Sequence, residues 1–237
     1  MSGSQYFLLR HVYLCRCRDK IVILDVKHHR YRALDAEKLS GLETLVAGWP
    51  TYSEDDAPGT AGSTAAEQLV TQGILCTDPK SGKDATPVWN LKPIGSVVSG
   101  NQGRVDSIQL TVVSALLWAF ASSWTIYHVC SLGRLIRILR ARKEALMEKQ
   151  KPFDLELARK LVRIFVLVMP FLSRSRNNCL FHSLVLNKFL ARYGIYADWV
   201  FGVRVKPWLA HSWLQRDGYI LGDTVETVDF LTPLMVV

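Results

Sequence analysis

Several things that this sequence lacks narrow what the chain can do. Its five cysteines are an odd number without regular spacing. No disulfide framework of the kind that staples small secreted domains can be read from them, and a reducing compartment is expected. Met1-Ser2-Gly3-Ser4-Gln5 lacks a basic start followed by an apolar core, so no export signal is expected and the protein is expected to be cytoplasmic. No Gly-x-x-x-x-Gly-Lys-Ser/Thr run occurs, which removes the usual backbone cradle for nucleotide phosphates. No internal repeat is apparent. Charged residues make up only 21% against 49% apolar, the balance of a globular chain that buries a core, and 237 residues allow one or two domains.

Charge is also missing locally. Ser107 to Gly133 runs for 27 residues without a charged side chain, long enough to cross a membrane. Ser114, Ser122, Ser123, Thr125 and His128 dilute it, however. A crossing would also place the two ends of the chain on opposite sides of a bilayer, where they could not share one substrate. The stretch is therefore expected to be a buried helix, with Trp118, Phe120 and Trp124 facing Leu161, Ile164, Phe165 and Val168 of the amphipathic run Asp154 to Met169. Membrane insertion is not expected. Arg134 to Lys151 follows with seven basic and two acidic residues, which supply much of the net charge of +8. This reads as a solvated helix face able to attract acidic partners weakly. No nucleic-acid fold motif accompanies it, and nucleic acid is not an expected partner.

The stretch that carries chemistry is Asn177-Asn178-Cys179-Leu180-Phe181-His182-Ser183-Leu184. The apolar spacing Leu180, Phe181, Leu184, Val185, Phe189 is helical, Asn178 is a good N-cap, and Gly194 is a natural stop. Cys179 would then sit in the first helical turn, where unpaired N–H groups and the helix dipole favour a thiolate and can receive an oxyanion. Alternation at Ala197, Trp199, Phe201, Val203 and Val205 marks a strand that ends at Lys206-Pro207. A second strand runs through His211, Trp213 and Gln215, and a third through Tyr219, Leu221 and Asp223. Reading Arg216-Asp217-Gly218 as a three-residue hairpin loop pairs His211 with Asp223; a two-residue Asp217-Gly218 loop would send Asp223 to the other face. Cys179 is then the nucleophile, His211 its base and Asp223 the group that orients the base. His182, three residues after Cys179 on one helix face, is the rival base. Cys15 and Cys17 with His28 and His29 fit no common zinc spacing, and no metal is expected.

Nearer the start, Tyr6–Arg10, Val12–Cys17, Ile21–Asp25 and Arg30–Leu34 read as strands. Asp35 caps a helix through Leu39, Leu42, Leu45 and Val46. After a loose segment from Thr51 to Ser63, a helix from Thr64 to Gln72 leads to a strand at Ile74–Thr77. Residues 86–106, with Pro87 and Pro93, read as linker.

These residues carry two resemblances. Asn178-Cys179-Leu180-Phe181-His182-Ser183-Leu184, Ala210-His211-Ser212-Trp213-Leu214 and Gly218-Tyr219-Ile220-Leu221-Gly222-Asp223 resemble the lasso-peptide B protein, the leader peptidase of lasso-peptide biosynthesis. Ser212 stands where that pattern usually has Ala. Leu24-Asp25, Tyr31 and Leu34, with the ending Gly73-Ile74-Leu75, resemble the peptide-recognition domain shared with the pyrroloquinoline-quinone chaperone, in which a leader peptide adds a strand to the third strand and lies on the last helix. What the resemblances imply is an α+β chain. A winged-helix peptide-recognition domain would occupy 1–85, a linker 86–106, and a papain- or transglutaminase-like cysteine protease domain 107–237. Leader contacts would come from Arg30, Tyr31, Arg32, Leu34, Ala66, Leu69 and Val70. The expected substrate is a lasso precursor. The expected partner is an asparagine-synthetase-like cyclase, which would use any ATP, so this chain itself would need no cofactor. A transglutaminase-type acyl transferase and a non-enzymatic peptide chaperone are the alternatives.

Overall fold

A computed structural model describes residues 5–50, 62–88, 91–98, 109–147, 152–173 and 178–237. The loose segment at 51–61, most of the C-terminal half of the linker and Asn177 lie outside them. The chain divides into two compact units. One comprises Met1–Trp89 with Val203–Leu209 and Thr232–Met235, and the other Asn90–Gly202 with Ala210–Leu231 and Val236–Val237.

In the first unit, β1 (Phe7–Leu9), β2 (Val12–Cys17), β3 (Lys20–Asp25) and β4 (Arg30–Asp35) follow the expected strands. β2, β3 and β4 form an antiparallel sheet in that order. The pairing sets Cys17 opposite Lys20 across a two-residue turn, with Arg18 in the left-handed region. The expected helix from Asp35 to Val46 is instead two single turns of 3-10 helix, Glu37–Leu39 and Leu42–Thr44. Gly41, at φ 90°, breaks the run between them. The backbone also comes close here: a side chain at Gly62 would meet the Gly41 carbonyl oxygen at 2.7 Å. Gly62 opens α1 (Gly62–Thr71), which starts two residues earlier than the composition suggests. α1 turns Ala65, Ala66 and Leu69 into a core shared with Val12, Leu14, Ile21, Ile23 and Leu42. β5 (Leu75–Cys76) and β6 (Gly82–Lys83) flank β1 in a second small sheet.

The second unit begins with a surprise. The segment read as linker contributes β7 (Gly95–Ser96) to a five-stranded sheet. Four helices follow: α2 (Leu110–Val129), α3 (Leu132–Met147), α4 (Leu155–Leu172) and α5 (Cys179–Ala191). Beyond α5 the chain forms β8 (Asp198–Arg204), β9 (Leu209–Arg216), β10 (Tyr219–Leu221), the short α6 (Val225–Val228) and β11 (Thr232–Val236), of which Val203–Leu209 and Thr232–Met235 count with the first unit. The sheet order is β11-β8-β9-β10-β7. α5 is the central helix, with Leu184, Val185 and Phe189 wholly excluded from solvent.

α2 packs along α5, and only part of the expected face takes part, Phe120 and Trp124 lying edge-on to Phe181 of α5 at 5.3 and 6.0 Å. Trp118 and Trp124 are 53% and 54% exposed, and the buried face is Val112, Ala115, Leu116, Ala119 and Ser123. Small side chains at helical spacing let two helices approach closely, which bulky indoles would prevent. Lys188, itself buried on α5, donates to Ser122 Oγ of α2 at 3.1 Å. Among the described residues α2 alone is long and apolar enough to cross a membrane by length and composition, and 28% of its apolar window is buried.

β8 is buried on both faces between Trp199 and Val203. Gly202 is required there by close approach: a Cβ would lie 2.7 Å from the Trp213 ring and 3.1 Å from Leu231 Cβ. Gly202→Ala is expected to lower stability by about 1–3 kcal/mol through overpacking, read as a lower urea midpoint at unchanged slope.

Candidate active site

The helix that begins at Cys179 starts as its sequence suggests. The Asn178 side chain caps it, its Oδ1 accepting from the Phe181 N–H at 3.2 Å. The Tyr127 hydroxyl lies 3.4 Å from the same oxygen. Cys179, half-buried, therefore occupies the first turn, where backbone N–H groups lack helical partners and attract negative charge. His211 and Ser212, on β9, are the groups that lower the thiol's pKa against burial.

His211 Nε2 lies 2.5 Å from Asp223 Oδ2, which leaves Nδ1 as the nitrogen for the thiol. The other carboxylate oxygen, Oδ1, accepts from the Thr224 N–H at 2.9 Å. The pairing that delivers this contact is not the one the sequence suggested. Tyr219 pairs with Arg216 and Leu221 with Leu214 across a two-residue Asp217-Gly218 turn, with φ 49° and 81°. This is the Asp-Gly turn whose twist matches antiparallel strands. In a continuous strand that register would send Asp223 to the face opposite His211. The strand stops at Leu221, however, and Gly222 takes φ 82°. The left-handed residue breaks the alternation and returns Asp223 to His211. The contact forms by another route than a three-residue loop.

The electrostatics follow from opposed effects. Burial pushes the Cys179 thiol up, yet the His211 imidazole beside it, with help from Ser212, holds it below its ordinary value. Burial pushes the His211 imidazole down, but Asp223 and the thiol outweigh it and push it up to about 9. Asp223 is held below its usual range against burial by His211, the Thr224 N–H and the Thr227 hydroxyl. These opposed effects favour a thiolate–imidazolium pair backed by a carboxylate. His182 does not join them: its Nε2 lies 3.2 Å from Ser173 Oγ and burial lowers its pKa.

Ser96 was not legible as part of the site. Its hydroxyl donates to the Asp223 carbonyl at 2.5 Å and accepts from the Val98 N–H at 3.0 Å. Nothing in a Pro- and Gly-bearing stretch signals such a role.

The residues expected to bind peptide are placed unevenly. β4 is an edge strand, and among the described residues only β3 pairs with it. Arg30 is exposed, Tyr31 sits edge-on to Trp208 at 5.7 Å, Arg32 donates to Gln72 Oε1 at 2.7 Å, and Leu34 packs on the core. On α1, Val70 is exposed, but Ala66 and Leu69 are 0% and 2% exposed. The last two are core residues that a peptide cannot touch. The apolar face of α1, a docking surface by sequence, closes the unit's own interior.

Cys15 and Cys17 are buried in β2 while His28 and His29 are exposed in the β3–β4 turn, so that set is not assembled. His11, Asp25 and His28 do come together, with ligand atoms within 4.8 Å. They are engaged with one another through the 2.6 Å contact of His28 Nδ1 with Asp25 Oδ2.

Removing His211 would leave burial as the dominant influence on the thiol. In His211→Ala, alkylation of Cys179 by iodoacetamide at pH 7, followed on the Cys179 peptide by mass spectrometry, is expected to slow about tenfold as burial pushes the thiol up. Gly222→Ala, whose Cβ would meet Leu186 Cδ2 at 2.5 Å, is expected to displace Asp223 and reproduce part of that loss.

No curated protein and no solved structure matches the chain. Residues 125–236 match the model of the Transglutaminase-like superfamily, a span holding Cys179, His211 and Asp223. The part of the chain that brings the thiol, the imidazole and the carboxylate together is a transglutaminase-like superfamily domain.

Proposed function

We propose that the protein is a cysteine peptidase that removes the leader of a ribosomally made lasso precursor. The observation that carries this reading is the thiolate–imidazolium–carboxylate set at the start of α5. The transglutaminase-like superfamily includes both cysteine proteases and acyltransferases. The choice of a leader peptide as substrate rests on the Cys-Leu, Ala-His and Gly-to-Asp motifs around the site and on the recognition-domain resemblance of the first unit.

In this reading Cys179 Sγ attacks the carbonyl at the leader–core junction, and the oxyanion meets N–H groups of the α5 first turn. The tetrahedral intermediate collapses: the C–N bond breaks, and His211 Nδ1 gives its proton to the leaving amine of the core. Water then attacks the thioester and yields a proton to His211, and Sγ departs as thiolate with the leader carboxylate released. Asp223 holds the ring in the orientation both steps need. The leader adds as a strand to β4, with Arg30, Tyr31, Arg32 and the exposed Val70 beside it. The freed core amine passes to an asparagine-synthetase-like cyclase, which would use the ATP; the peptidase needs no cofactor. The reaction is cytoplasmic, with α2 seated on α5 rather than inserted in a bilayer.

The test is incubation of the full chain with the precursor peptide and mass analysis of the products. A leader bearing a new carboxylate supports peptidase action; an amide or isopeptide adduct assigns the chemistry to acyl transfer; uptake without turnover assigns it to chaperoning. Cys179→Ala and His211→Ala are expected to abolish cleavage with the fold retained, and Asp223→Ala to slow it less. Val70→Asp is expected to weaken leader binding by about tenfold in a fluorescence titration, corresponding to about 1.4 kcal/mol, without altering the reactivity of Cys179.

A further inference from the structure

Among the described residues, one group of three metal-ligating side chains converges: His11, Asp25 and His28, each offering one ligand atom within 4.8 Å of the others. His11 lies in the turn between β1 and β2, Asp25 ends β3, and His28 lies in the turn between β3 and β4. The backbone fixes the first two side by side. The Val26 N–H donates to the His11 carbonyl at 3.0 Å, and Val12, next to His11, pairs with Asp25. Asp25 Oδ1 accepts from the His28 backbone N–H at 3.0 Å, and Oδ2 lies 2.6 Å from His28 Nδ1. His11 Nε2 lies 3.7 Å from Asp25 Oδ1, beyond hydrogen-bond reach. Two imidazoles thus approach one carboxylate from two neighbouring turns.

We propose that His11, Asp25 and His28 bind a zinc ion, with water in the fourth position. Zinc takes imidazole nitrogen and carboxylate oxygen at about 2.0–2.2 Å, so neighbouring ligand atoms of a tetrahedral site lie roughly 3.3–3.6 Å apart. The 3.7 Å gap between His11 and Asp25 is already close to that value. The 2.6 Å contact of His28 must open by about an ångström or less to reach it. The His28 side chain is 56% exposed on its turn and has room to do so. A carboxylate only accepts, so in the hydrogen-bonded pair His28 Nδ1 carries the proton. When the metal takes the Nδ1 lone pair, a neutral ring moves that proton to Nε2 through solvent and a charged ring releases it.

Two imidazoles in the set favour a transition ion over calcium or magnesium, which take oxygen. Bound zinc joins the β1–β2 turn to the β3–β4 turn, at the end of the sheet where the edge strand β4 begins and Arg30 pairs with Asp25. It is a structural clamp on that edge. All three ligands belong to the first unit, and the ion takes no part in the Cys179 chemistry. The inference does not rest on the peptidase reading.

The test is zinc titration of the full chain after chelator treatment, in competition with a chromophoric chelator, with cobalt(II) as a second probe. One equivalent of zinc is expected to bind. Groups that merely support a metal ligand are worth about 10–100-fold in affinity, so His11→Ala, His28→Ala and Asp25→Asn are each expected to weaken binding at least about tenfold. Asp25→Asn separates the metal from the hydrogen bonds, because its amide oxygen still accepts from His28. Bound cobalt is expected to absorb without the sulfur-to-metal charge transfer that Cys76, Cys130 or Cys179, the free cysteines outside the core, would give. Cys179→Ala is expected to bind zinc as the unaltered chain does. No saturable binding, binding undiminished in Asp25→Asn and His28→Ala, or binding lost in Cys179→Ala overturns the proposal. Thermal melting in chelator checks that each variant folds; if His11→Ala does not, the exposed His28 decides with Asp25→Asn. Zinc binding needs no peptide, so failure to cleave a leader leaves this result standing.

Discussion

Burial by itself would leave both partners at this site uncharged, the thiol protonated and the imidazole neutral. Everything else in the second unit can be read as the means of reversing that outcome. The reversal works only if Cys179 and His211 touch and Asp223 touches His211 from behind, because short-range hydrogen bonds and charge must exceed two desolvation penalties at once. That is a positional requirement within a fraction of an ångström, met by elements distant in sequence. α5 presents the thiol at its first turn, β9 presents the base, and the end of β10 presents the acid. The solvent-free interior of α5, with Leu184, Val185 and Phe189 fully enclosed, gives the first turn a fixed platform.

Much of this was legible from residue order. Asn before Cys before an apolar helical run specifies a capped helix with the thiol at its start, and the cap is present as read. Alternation at Trp199, Phe201 and Val203 specifies a strand. What sequence pattern could not decide was register. Asp217-Gly218 supports both a two-residue and a three-residue loop by composition, and the choice depends on whether the chain continues as strand to Asp223. Gly222 settles that through a backbone conformation, and a glycine's letter does not say which side of φ it will take.

The helix faces tell a related story. Trp118 and Trp124 look like core residues by hydrophobicity, and Ala66 and Leu69 look like a docking face by their place on the last helix of the first unit. Both readings fail for one reason. Burial depends on which neighbour comes closest, and small residues permit the closest approach. α2 turns Ala115, Ala119 and Ser123 inward, and α1 closes on Gly41 and the β2–β3 sheet.

The short strand β7 bears on how this protein can be taken apart. Ile94 N–H donates to the Gly218 carbonyl, Val97 N–H to the Ile220 carbonyl, and Gln215 Nε2 to the Leu91 carbonyl, while the Ser96 hydroxyl holds the Asp223 backbone. A dissection that follows composition would cut after the proline- and glycine-bearing stretch and begin the C-terminal piece near residue 107. Such a piece would keep all three reactive side chains and lose the outer strand of their sheet. β10 would become a bare edge, open to pairing with another copy, and the Asp223 backbone would lose the Ser96 hydroxyl that holds it. The second unit begins at Asn90, so the stretch that reads as a tether and the catalytic scaffold are in part the same stretch of chain.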